Sequence, residues 1–278
     1  MRRLLHLFSL CLLFALYACT QAGQQPEAIP AKTLPVEPGQ AVAIQVNTGA
    51  VTILGTDAGQ LEISGRLAAP ERTTYLVSTD PRQIDIQAEY RKPLFSTFSG
   101  PAVELEVRIP QDVTLQVVTF DAAVTVRDLR GKVEVDSTSG DILGENLSGT
   151  IALRSGRGDV RAVACSGKVR VLGEHGVLSI ENARGEVSSS TIMGTIRFAG
   201  EPRAGDSIRL ETDHGPVRIE LGAGSGLELS VNSTSGNVVC GLPGLDTSTR
   251  FCRGKLGNGE GAMTVRTVSG GVTVQSQP

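Results

Sequence analysis

Apolar and polar residues alternate in short runs through most of the chain, as in Val133-Glu134-Val135 and Val169-Arg170-Val171. Alternation at period two marks a strand with one face buried. Glycine punctuates the runs, and the punctuation is itself periodic. Gly131, Gly149, Gly167 and Gly185 stand 18 residues apart, as do Gly140, Gly158, Gly176 and Gly194, with the two rows interleaved at nine. A helix tolerates neither glycine at that density nor so many β-branched residues.

Between the glycines the apolar residues fall into columns with the same spacing. Leu115, Val133, Ile151, Val169 and Val187 form one, and Val117, Val135, Leu153, Val171 and Ser189 its neighbour. Val124, Ile142, Val160, Leu178 and Ile196 form a third, and the less uniform Val126, Gly144, Ala162, Ile180 and Phe198 a fourth. A single coil cannot bury its inward residues, so it needs a copy above and below. The pattern predicts an all-β fold, a parallel β-solenoid with coils of about 18 to 21 residues. Equivalent residues should lie about 4.8 Å apart along the axis. Glycine serves at the bends wherever φ is positive or the backbone approaches its neighbour closely.

The repeat loosens on both sides. Downstream, Ile208-Arg209-Leu210, His214-Gly215 and Val217-Arg218-Ile219 are followed by Leu227-Glu228-Leu229, Gly236 and Val238, with Gly215 to Gly236 and Val217 to Val238 each 21 residues, and the last unit runs from Val265 to Val274. An interruption over 241–262 reads as a loop excursion. Upstream, 70–110 keeps strands but loses the glycine rows, predicting irregular coils or a projecting hairpin with 93–101 as its loop. The organisation expected is a signal peptide at 1–18, a flexible tether at 19–40 and one solenoid domain at 41–277.

Export changes the picture most. Arg2 and Arg3 precede an apolar run from Leu4 to Leu16, a secretory signal too short to span a membrane. Leu16-Tyr17-Ala18-Cys19 resembles the lipobox of bacterial lipoproteins, which makes Cys19 the lipidation site. Thr20 follows it instead of the aspartate that retains lipoproteins at the inner membrane, so the resemblance implies the cell envelope, with the outer membrane as anchor. Removing two arginines leaves 24 basic against 29 acidic residues, a formal charge near −5. That balance disfavours nucleic acid and adhesion to anionic lipid.

The segments Asp136-Ser137-Thr138-Ser139-Gly140-Asp141-Ile142 and Asn232-Ser233-Thr234-Ser235-Gly236-Asn237-Val238 resemble the putative-adhesin family of bacterial β-strand-repeat proteins, as do Gly257-Asn258-Gly259 and Thr267-Val268-Ser269-Gly270-Gly271-Val272. The resemblance covers most of 100–276. It implies a β-helix-like fold in exported proteins of unknown function and supplies no active-site residues.

Candidate chemistry is sparse. Asp141 and Asp159 share a column in successive coils, a spacing that suits a divalent cation or an acid and base pair. Val177 and Thr195 continue that column, however, and with no Trp and 3 Tyr there is no sugar-binding platform. His175 and His214 each precede a bend glycine, as surface residues, and no zinc cluster or nucleotide loop is present. Cys165 follows Leu129 and Leu147 in a buried column, and Cys240 and Cys252 bracket the downstream interruption as a candidate disulfide. Arg154, Arg157 and Arg161, interleaved with Asp159, read as one solvated face.

The reading is a noncatalytic, lipid-anchored envelope protein without cofactor or metal, displaying an extended β surface to a protein or envelope polymer. A β-helix carbohydrate-active enzyme and an envelope-stress or signalling accessory are the alternatives.

Overall fold

The computed structural model describes residues 26–92 and 101–277. The signal, Cys19 and most of the 93–101 loop lie outside them. Among the described residues strands account for almost all regular structure, with a single 3-10 turn at Pro70–Arg72. The first strands are β1 (Glu27–Pro35), β2 (Ala41–Thr56), β3 (Gln60–Leu67), β4 (Thr73–Thr79), β5 (Gln83–Tyr90), β6 (Val103–Pro110) and β7 (Thr114–Arg127). The repeating coils follow as β8 (Arg130–Ser137) with β9 (Ile142–Glu145), β10 (Ser148–Ser155) with β11 (Val160–Val163), and β12 (Ser166–Gly173) with β13 (Val177–Glu181). They continue as β14 (Arg184–Thr191) with β15 (Thr195–Gly200), β16 (Ser207–Thr212) with β17 (Val217–Leu221), and β18 (Leu227–Ser233) with β19 (Val238–Cys240). The chain ends in β20 (Asp246–Thr247), β21 (Phe251–Leu256), β22 (Gly261–Thr267) and β23 (Val272–Ser276).

Each coil contributes one strand to each of two faces. On the first face Leu115, Val133, Ile151, Val169, Val187 and Ile208 stand in direct parallel register. On the second, Val124, Ile142, Val160, Leu178, Ile196 and Val217 do the same. These columns are buried and belong to one hydrophobic core that runs from Ile29 to Val274. The faces interlock by size. A Cβ on Gly144 would come within 2.9 Å of Leu153 Cδ1, so the smallest member of the fourth column faces a leucine of the opposite wall.

Four features depart from a simple parallel stack read in chain order. First, the layers are not sequential. β22 lies between β16 and β18, and β23 between β17 and β19. At the other end β2 lies between β7 on one side and β5 and β6 on the other. Met263 and Val265 present the same inward pattern as Leu229 and Val231, so periodicity cannot tell which strand neighbours β16.

Second, the tether is shorter than expected. Residues 27–35 form β1, which pairs antiparallel with β3, because Ile29 is apolar enough to be buried there and the open edge needs a partner. Third, the described strands of the 70–110 region are an irregular continuation of the stack, the first of the two expected alternatives. β4 and β5 form an antiparallel hairpin, and β5 continues the first face alongside β2.

Fourth, the 241–262 segment is a cap. β21 folds back antiparallel onto β18 and buries Cys252 completely. Cys240 and Cys252 are joined in a disulfide, with Cα atoms 6.3 Å apart. Replacing Cys240 with alanine should cost about 3 kcal/mol through the loop it frees. Urea midpoints with and without reductant check this: reduction should lower the midpoint of the parent protein and leave the variant unmoved.

The glycine rows divide by mechanism. Gly149, Gly167 and Gly185 have φ of 113°, 101° and 91° and sit just inside their strands, where each lies against the preceding glycine's carbonyl. Gly140, Gly158 and Gly194 have no positive φ and follow the second of the two expected reasons: the neighbouring backbone occupies the space of a Cβ. Gly131 belongs to neither group, and the nearest atom to its Cβ position is 3.2 Å away. The left-handed corner is instead taken by Asp128, Asn146, Ala164 and Asn182, with φ of 52° to 58°. Asx side chains tolerate that region, and Asn146 Nδ2 donates to Asp128 Oδ1 at 3.2 Å across one coil.

Candidate functional site

The opposite corner, where the first face turns into the second, is built by a staple. In Ser137-x-x-Gly140, Ser155-x-x-Gly158, Thr191-x-x-Gly194, Ser233-x-x-Gly236 and Thr267-x-x-Gly270 the glycine N–H donates to the hydroxyl three residues earlier, at 2.8 to 3.0 Å. Ser155 Oγ also donates to the Gly140 carbonyl at 2.9 Å, tying one coil to the next. Where Gly173 replaces the hydroxyl residue, Gly176 takes φ of 89° instead.

The staple fixes the outer two positions of five corners and leaves the inner pairs Thr138-Ser139, Gly156-Arg157, Ile192-Met193, Thr234-Ser235 and Val268-Ser269 free. Glu174-His175 and Asp213-His214 hold the same place in two corners without a staple, where Gly173 replaces the hydroxyl residue and Thr212 Oγ1 has no partner. Backbone hydrogen bonds stack them into a ridge, with Met193 N donating to Glu174 O, His214 N to Ile192 O and Ser269 N to Asp213 O. Ile192, Met193 and Val268 are 48%, 55% and 46% exposed, uncommon for apolar residues in this fold. Beside them an open groove of about 580 Å³ is lined by Ser190, Glu211, Asp213 and Arg266, with Ile192 and Val268 on its rim. Arg266 Nη1 lies 3.9 Å from Glu211 Oε1, so the groove is polar with its charges largely balanced.

The other candidates take structural places. Asp141 Oδ1 accepts the N–H of Asp159 at 2.8 Å, and Asp159 Oδ1 accepts the N–H of Val177 at 2.7 Å. The column of acids is thus a chain of coil-to-coil hydrogen bonds. His175 and His214 lie exposed on the ridge, two layers apart with Met193 between, and His214 Nδ1 is 2.7 Å from Ser269 Oγ. Among the described residues no group of three His, Cys, Asp or Glu side chains is placed to hold a metal. Cys165 is fully buried under the Asx corner, and burial pushes its thiol pKa up, away from the nucleophilic thiolate.

Arg154, Arg157 and Arg161 do not share a face. Arg154 stands on the first, near Glu174 at 3.7 Å; Arg157 is on the ridge; Arg161 pairs with Glu181 at 2.9 Å on the second. The staple went unread in the sequence, although Ser or Thr three residues before the glycine of one row was its signal.

The Toastrack DUF4097 family model matches residues 40–275. The chain belongs to this family. The Toastrack match spans the regular coils and the β21 cap, and β1 lies before it. No curated protein matches the chain.

Among solved structures, a putative adhesin from Bacteroides fragilis is similar at 11% identity, over 90% of this chain and 97% of its own, with a TM-score of 0.38. A putative lipid binding protein from Parabacteroides distasonis is similar at 11%, over 90% and 97%, with a TM-score of 0.34. A putative cell adhesion protein from Clostridium sporogenes gives 11%, 91% and 100%, with a TM-score of 0.32.

Proposed function

We propose that this Toastrack protein is a noncatalytic envelope lipoprotein, anchored through Cys19, that presents the stapled ridge to a protein or envelope polymer. The observation that carries the reading is the contrast within the five stapled corners: hydroxyl and glycine recur because they bond to each other, while the pair between them varies and is exposed or half-exposed. A rigid frame with variable outward positions suits recognition, since no ordering of loops opposes binding. The exposed Ile192, Met193 and Val268 supply apolar contact and the flanking polar residues supply orientation.

A photocrosslinking residue at Met193 tests this in intact envelopes, with the same residue at Arg170, outward on the first face, as the control. Discrete adducts from position 193 and none from 170 are expected. Adducts should be lost when Cys19→Ser releases the chain from the membrane fraction. A ridge that gives no adduct, or one matched by the control, overturns the reading.

A further inference from the structure

Strands β15 and β17 are neighbours on the second face, and their outward residues are set by the alternation that buries Ile196, Phe198, Val217 and Ile219. That alternation places Arg197 directly opposite Arg218. Like charges facing each other across neighbouring strands are destabilising. Elsewhere the molecule avoids this: among the described residues, every other register pair of two charged residues joins opposite signs, as in Lys168 with Glu186, Arg154 with Asp136 and Arg66 with Glu104.

Two carboxylates, Glu181 and Glu220, stand beside the pair, but neither is bonded to it. Glu181 is held by Arg161 through two bonds of 2.9 Å, and Glu220 Oε1 accepts from Gln275 Nε2 at 3.1 Å. Among the described residues neither guanidinium has an ion-pair or hydrogen-bond partner. In the same row Ser179 stands next to Arg197 and Thr273 next to Arg218, giving the order hydroxyl, guanidinium, guanidinium, hydroxyl. Ser179, Arg197 and Arg218 line an open depression of about 480 Å³, with the carboxylates of Glu181 and Glu220 at its side.

We infer that Arg197 and Arg218 form a binding site for a phosphate-type oxyanion. Two guanidinium forks about 4.8 Å apart at the backbone match a tetrahedral dianion, which accepts paired bonds from both and cancels their repulsion. The hydroxyls of Ser179 and Thr273 are placed to close the row at either end. The site lies away from the ridge, so it stands or falls independently of the proposed partner surface.

The test is a calorimetric titration of the full chain in detergent at low ionic strength, with inorganic phosphate and with dissolved dihexanoyl phosphatidic acid. Saturable binding is expected, weakened at least about tenfold by R197Q and by R218Q and unchanged by R170Q. In phosphate-free buffer R218Q should melt at or above the parent temperature, because it relieves the repulsion; this separates loss of a ligand site from loss of fold. Equal affinity for the two probes assigns the site to free or polymer-borne phosphate. Tighter binding of phosphatidic acid assigns it to a lipid headgroup. No binding up to about 10 mM, or undiminished binding by the R197Q/R218Q double variant, overturns the inference.

Discussion

Gly158→Val lowers stability by about 3 kcal/mol or more and the melting temperature by about 6–12 °C, whereas Gly59→Ala leaves both nearly unchanged. Both glycines lie outside the left-handed region, so conformational freedom does not separate them. Space does. A Cβ at Gly158 would overlap the Gly140 carbonyl of the previous coil and stand 2.9 Å from Asp141 N, while nothing lies within 4 Å of one at Gly59. The atoms in the way are backbone held by the Ser155 staple, so they cannot swing aside as a side chain would. Thermal melts of the two variants beside the parent decide the matter. A mild effect at Gly158 would mean that neighbouring coils part easily.

Phe198→Ala should cost about 4 kcal/mol, with Phe120→Ala within about 0.5 kcal/mol of the parent. Phe198 is the largest of the fully buried side chains and stacks between Ile180 and Ile219, whereas Phe120 is 61% exposed. Truncation leaves a cavity walled by strands whose spacing is fixed by their hydrogen bonds, so collapse is limited and the cavity term stays near its upper range. Denaturant midpoints with unchanged m-values would show the loss as stability alone.

The columns were legible because the same side-chain types recur at a fixed interval, and a stacked fold buries them together. Val133, Ile151 and Val169 therefore revealed their register directly. The order of layers at the ends was not legible, since Met263 and Leu229 satisfy one inward slot equally well and the choice rests on which strand can accept β21 along its free edge. The caps shared that difficulty: β1 and β21 pair antiparallel, outside the periodicity that announced the coils. Of the surface features, the acids Asp141 and Asp159 drew attention by type and proved to be backbone partners. Arg197 and Arg218 escaped it because they are 21 residues apart, across a junction where the 18-residue interval lengthens.

The placement of β22 and β23 bears on how the chain tolerates shortening. A protein cut after residue 260 would not be a rod one rung shorter. It would lack an inner rung, with the outermost coil and its disulfide-tied lid left facing a gap of one strand's width. The far coil, made earlier in synthesis, thus has no neighbour to settle on until the final stretch of polypeptide arrives, and completion of the chain is what locks that end shut.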